Sequence, residues 1–146
     1  MKDKDFALTY LFKKLAQSNH CNLELYITSD CNLKCNYCYL RQHEELYPHE
    51  LRNHKKILTN IDILFQKLLN EELINFRNID VFSGEIWGST FGKEILQKII
   101  NFAKESGIKT ITIPSNMTFL LSKENELFYE NLISDAESKG VKVWFS

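Results

Sequence analysis

Leu23-Glu-Leu-Tyr-Ile-Thr28, followed two residues later by Cys31-Asn-Leu-Lys-Cys35-Asn-Tyr-Cys38, is the stretch on which the fold and the chemistry of this chain turn. Leu23, Leu25 and Ile27 alternate with Glu24, Tyr26 and Thr28, the period of a strand with one apolar face. The loop behind that strand carries three thiols spaced Cys-x3-Cys-x2-Cys. A loop so short can wrap one small inorganic centre. Three thiolates hold three irons of a [4Fe-4S] cube, and no fourth cysteine follows to close the set, so one iron is left for an exogenous ligand. Two other readings of the same residues stay open. With His43 the thiols make a Cys3His zinc set, although zinc knuckles usually draw ligands from two separated elements. A disulfide is disfavoured by the spacing and by the charged start, Met1-Lys-Asp-Lys-Asp5, which is no signal peptide.

Outward from that loop, helical and strand periods alternate. Leu8, Leu11, Phe12 and Leu15 mark an N-terminal helix before the first strand. After a polar region from Arg41 to Asn53 comes an amphipathic helix with Ile57, Leu58, Ile61, Leu64, Phe65, Leu68 and Leu69 on one stripe. Ile79 to Ser83 reads as a second strand. A helix carrying Ile95, Leu96, Ile99, Phe102 and Ala103 is stopped by Gly107, and Thr110 to Ile113 is a third strand ended by Pro114. Ser122 can cap a last helix through Phe128, Leu132, Ile133 and Ala136, which Gly140 ends before a fourth strand, Val141 to Ser146. The order predicts an α/β fold of parallel βα units. Each strand has one apolar and one mixed face, unlike the continuous apolar runs of a sheet covered on both sides. The pattern therefore predicts part of an open, partial TIM-like barrel of about four strands. A one-sided sheet wetted on its far face reads the same way.

Composition bounds the function. The chain has 146 residues, a formal net charge of −1 and a sequence pI near 6.4, which suits one domain and implies no nucleic-acid partner. No run approaches the length of a membrane span. Four cysteines without a secretion signal predict a reducing, cytoplasmic setting. His20, His43, His49 and His54 lie in polar sequence and read as solvated. Cys21 reads as a small buried hydrophobe.

Two further motifs fall at strand ends, where ligands of parallel sheets gather. Phe82-Ser83-Gly84-Glu85 closes the second strand, with a glycine that admits close backbone approach and a carboxylate acceptor. Pro114-Ser115-Asn116-Met117 closes the third and is turn-forming on any reading.

The cysteine run, with the aromatic Tyr37 before its last thiol, resembles the signature of the radical S-adenosylmethionine (SAM) superfamily. In that family the open iron chelates the amino and carboxylate groups of SAM, and the reduced cluster cleaves SAM to a 5′-deoxyadenosyl radical. The resemblance implies Cys31, Cys35 and Cys38 as cluster ligands and Tyr37 beside SAM, its backbone meeting adenine. Ser83, Gly84 and Glu85 resemble the family's Gly-Gly-Glu segment, which receives the SAM amino group, with Ser83 replacing a glycine and Ile86 standing where proline commonly follows. Ser115 and Asn116 partly match a Thr-Asn-Gly-like turn near the methionyl and ribose groups, without its glycine, and Ser146 falls where many members place a serine against the ribose.

The resemblance runs from residue 22 to the end, so the expected organisation is an N-terminal helical extension, 1–21, and a truncated radical SAM core, 22–146. The family's core usually has six βα units, and the last strand ends without a covering element. Both lead to the expectation that these residues are the N-terminal part of a longer protein or meet a second chain. Implied partners are SAM, an electron donor such as flavodoxin or ferredoxin, and a substrate of unknown identity, whether peptide, protein or small metabolite. The competing expectations are an iron–sulfur and SAM-binding module without turnover, and a structural zinc domain.

Overall fold

A computed structural model describes residues 21–43, 53–70 and 76–146. The helix expected before residue 21, and His20 and His49, lie outside the described residues. Four strands, β1 (Asn22–Tyr26), β2 (Asn78–Phe82), β3 (Thr110–Ile113) and β4 (Lys142–Phe145), form one sheet in the order β1-β2-β3-β4, every pair parallel. The helices between them are α1 (Tyr39–Gln42), α2 (His54–Asn70), α3 (Thr90–Ser106) and α4 (Lys123–Ser138), with a 3₁₀ turn at Thr118–Leu121. The α/β arrangement of parallel strands with interleaved helices is the one the sequence pattern predicts. α1 and the 3₁₀ turn lie where loop was expected.

Sequential strand order and helical crossovers set all the long helices on one side of the sheet. That side is the apolar one. Leu25, Ile27, Ile79, Val81, Ile111 and Ile113 are buried against Ile61 and Phe65 of α2, Ile95 and Ile99 of α3, and Leu132 and Ala136 of α4. Neighbouring helices lock to each other: Phe65 stacks on Phe102 with ring centroids 4.1 Å apart, and Lys98 reaches Asp62 at 2.9 Å. Between α3 and α4, hydrogen bonds from Lys104 and then Lys139 hold the Asp135 carboxyl down to about 2. α3 starts at Ser89, whose Oγ accepts from the Gly92 N–H at 3.0 Å, and ends at Gly107 with φ 77°. α4 starts at Ser122, but that hydroxyl makes no capping bond, unlike the cap read from the sequence.

The other face of the sheet has no helix over it among the described residues. In register across it lie Glu24, Asp80, Thr112 and Trp144, with Tyr26 beside Phe82 one layer further along. Below them Asn22 Nδ2 donates to Asp80 at 2.6 Å, and Asn78 bridges Asp80 to Thr112. Trp144 is 56% exposed, while Trp87, on the helix side, is fully buried.

Candidate functional site

The site is assembled where β1, β2 and β3 end. Backbone pairing runs past the strands proper: Ile27 N–H donates to Phe82 O at 2.8 Å and Gly84 N–H to Thr28 O at 2.8 Å. Thr28 is fully buried, and its Oγ accepts from the Asp30 N–H at 3.2 Å, turning the chain into the cysteine loop. The first residues of that loop press on Gly84. A Cβ at Gly84 would stand 1.9 Å from the carbonyl oxygen of Asp30. The close approach read from this glycine is thus made by the protein's own cysteine loop.

Glu85 follows and turns inward, only 9% exposed. Its oxygens accept from the Ser115 hydroxyl at 3.1 and 3.0 Å, and Oε2 accepts from the Asn116 N–H at 2.6 Å. A buried carboxylate needs such donors to offset lost hydration. The residues expected at two different strand ends therefore meet directly. Beneath them, burial and then the Glu85 charge push the Tyr129 phenol above its usual range, and its hydroxyl stays protonated to donate to Trp87 O. Ser146 joins the same edge through its backbone: its N–H donates to Ile113 O at 3.0 Å, and its carbonyl accepts from Ser115 N–H at 2.9 Å. Met117 holds φ 61°, the left-handed conformation that glycine adopts at no cost, at the position where the resembled turn has glycine.

Cysteine positions divide the loop. Cys31 is exposed, whereas Cys35 and Cys38 are half-buried, and none is in a disulfide. Cys31 Sγ accepts from the Leu33 N–H at 3.4 Å. Cys38 precedes α1 and bonds back to Cys35 O through its N–H at 3.2 Å. Cys31 and Cys38 line one cavity of about 260 Å³ with Lys34 and Arg41. A larger cavity of about 640 Å³ reaches from Cys31 past Glu85 to Ser89 and Asn125. Among the described residues the structure brings no three His, Cys, Asp or Glu side chains within reach of one metal ion, so the three thiols share a loop without converging on a point. Tyr37 is 86% exposed. The His43 ring lies against Tyr39 at a tilt of 46°, with centroids 4.5 Å apart.

Four residues of the site, Asp30, Asn32, His54 and Thr118, escape any reading of spacing. His54 Nε2 lies 3.0 Å from Asp30 Oδ2, and its ring stacks on Phe91 with centroids 3.9 Å apart. The side chain is still 44% exposed, as expected of a solvated histidine, but it has partners that the sequence did not announce. The contact closes the neck of the chain segment that holds the cysteines. Asn32, between Cys31 and Leu33, bonds Asn116 and Thr118 across the site. Asn32 stood inside the quoted motif, yet its partners are 84 and 86 residues away, so nothing local announced them. Cys21 is half-buried, not buried as expected.

No helix among the described residues is long and apolar enough to cross a membrane. Neither a protein-family model, nor a curated protein, nor a solved structure matches the chain.

Proposed function

We propose that this protein is a radical SAM enzyme that binds one [4Fe-4S] cluster through Cys31, Cys35 and Cys38 and binds SAM beside it. The observation that supports this reading best is the meeting of the cysteine loop, Glu85 and the Ser115–Asn116 turn at adjacent strand ends. The donor set fits the cluster: three reduced thiols on one loop, with no fourth cysteine near them in sequence. When bound, the cluster supplies the electron that cleaves the carbon–sulfur bond of SAM, giving a 5′-deoxyadenosyl radical that abstracts hydrogen from substrate.

The chain's own part is binding and orientation. Glu85 carries a negative charge to the floor of the 640 Å³ cavity, where it attracts an ammonium group. Ser83, Gly84, Ser115, Asn116 and Ser146, which follow β2, β3 and β4, are the groups proposed for the rest of SAM, with the backbone of the exposed Tyr37 meeting adenine. Sequential parallel strands with helices on one side also favour part of a TIM-like barrel, whose inner wall is the face carrying Tyr26, Phe82 and Trp144. The electron comes from a donor such as flavodoxin or ferredoxin, in a reducing compartment such as the cytoplasm.

Anaerobic reconstitution tests the proposal. About four irons per chain are expected, with 5′-deoxyadenosine formed from SAM and dithionite. Replacing Cys31, Cys35 or Cys38 with Ala should abolish the cluster, and Cys21→Ala should keep it. Uptake of zinc without iron overturns the reading in favour of a zinc domain. The sheet face that the described residues leave open favours a second reading, a cluster- and SAM-binding module without turnover, because an unwalled site leaves a radical open to solvent. A SAM-dependent change in the cluster's EPR signal without 5′-deoxyadenosine would select it.

A further inference from the structure

The side chain of Asn32 closes a directed ring with Thr118 and Asn116. Asn32 Nδ2 donates to Thr118 Oγ1 at 2.7 Å, Thr118 Oγ1 donates to Asn116 Oδ1 at 2.7 Å, and Asn116 Nδ2 donates back to Asn32 Oδ1 at 3.1 Å. The Thr118 N–H adds a second bond to Asn116 Oδ1 at 3.0 Å. Running in one sense round the ring, each bond polarises the next, and neither amide can flip without losing bonds. Through the Asn116 N–H the ring continues into the buried Glu85 carboxylate.

No other side chain between Cys31 and Cys38 has such an anchor among the described residues. Among the described residues, the distal half of the loop is stapled to α1 by the side chains of Arg41, to Lys34 O at 2.8 Å, and Gln42, to Asn36 O at 2.8 Å. Those bonds hold Cys35 and Cys38 to α1 and do nothing for Cys31. Cys31 is exposed, and its position is set by the neck at Asp30 on one side and by Asn32 on the other.

We propose that Asn32 is a positioning residue that couples the first cluster thiol, Cys31, to the SAM-binding turn of Ser115–Thr118 and to Glu85. The inference rests on the radical SAM reading and goes beyond it, because it makes SAM affinity depend on the ring through which Asn32, at the wall of the 640 Å³ cavity, ties the cysteine loop to the turn. With the ring intact, Cys31 and the acceptors for the SAM amino group keep a constant separation, so one ligand can bridge iron and carboxylate without ordering the loop first. With the ring broken, the three thiolates are unchanged, but each SAM molecule must arrest the loop as it binds.

The test uses the whole chain, reconstituted anaerobically, with the SAM concentration that half-converts the EPR signal of the reduced cluster as the readout. The variants are Asn32→Ala, Thr118→Val, Thr118→Ser and the double variant Asn32→Ala/Thr118→Val. Asn32→Ala and Thr118→Val should raise that concentration about tenfold, the size of one or two lost hydrogen bonds. Thr118→Ser, which keeps the hydroxyl, should behave as the unaltered protein, and the double variant should be no worse than either single one. A change in fold stability alone would leave the SAM titration of folded, iron-loaded protein unmoved. Should Asn32→Ala lose iron, Thr118→Val decides, since it leaves the loop sequence intact. Iron-loaded Thr118→Val that titrates like the unaltered protein overturns the inference and leaves the radical SAM reading standing. An unaltered protein that takes up no iron overturns that reading, and this inference with it.

Discussion

A methyl group at Gly84 has nowhere to go. The atoms it meets are backbone, Asp30 O at 1.9 Å and Ser29 O at 2.9 Å, so relief requires moving the root of the cysteine loop off β2. Gly84→Ala should therefore cost about 2 kcal/mol or more in urea denaturation, and an unchanged midpoint would contradict the contact. Met117 presents the opposite case. Its left-handed backbone costs a non-glycine residue roughly 1–2 kcal/mol, and glycine there loses about 0.5–1 kcal/mol to unfolded-state entropy. Met117→Gly should leave stability unchanged or raise it by up to about 1 kcal/mol, whereas the branched Met117→Val should lower it by about 1 kcal/mol. Both are read by the shift of the same transition. The glycine at 84 was legible as a close-approach residue. What approaches it was not, because Asp30 is distant in sequence and only strand pairing brings it there.

Elements were legible where a period repeats. The stripes of α2, α3 and α4 and the alternation of the four strands each declare one buried face, and the structure buries those faces together, except for Leu64 of α2, which is exposed at the margin of its stripe. Of the caps, Ser122 was read from the sequence by its residue type and Ser89 was not read. Ser89 and Ser122 both precede long helices, yet only Ser89 bonds the helix N-terminus. Ser89→Ala should cost about 1 kcal/mol of stability, and Ser122→Ala less than about 0.5 kcal/mol. Equal losses in thermal or urea unfolding would show that the two caps do not differ. The short helix α1 went unread because four residues carry no period, and its bonds to Lys34 O and Asn36 O lie within the loop itself.

At the scale of the molecule, helices lie on one side of the sheet and the described residues leave the other side open. The two tryptophans report on this directly, one on each side. Acrylamide should quench a component belonging to Trp144 and spare that of Trp87, and Trp144→Phe should remove the quenchable component. Two equally protected tryptophans would mean that something covers the open face.

By itself the sequence determined the α/β class, the parallel order of βα units, the apolar face of each strand and the thiol spacing from which a cluster is proposed. These follow from local periods and from covalent spacing, which need no knowledge of what lies across the sheet. The tertiary structure alone decided that Glu85 is buried and shared by Ser115 and Asn116, that His54 closes the neck on Asp30, and that Asn32 is tied to Asn116 and Thr118. Each of those bonds joins residues separated by 24 positions or more. Hydrogen bonds of this kind depend on distance and angle in space, and parallel strands set both by bringing loops far apart in sequence to one edge of the sheet.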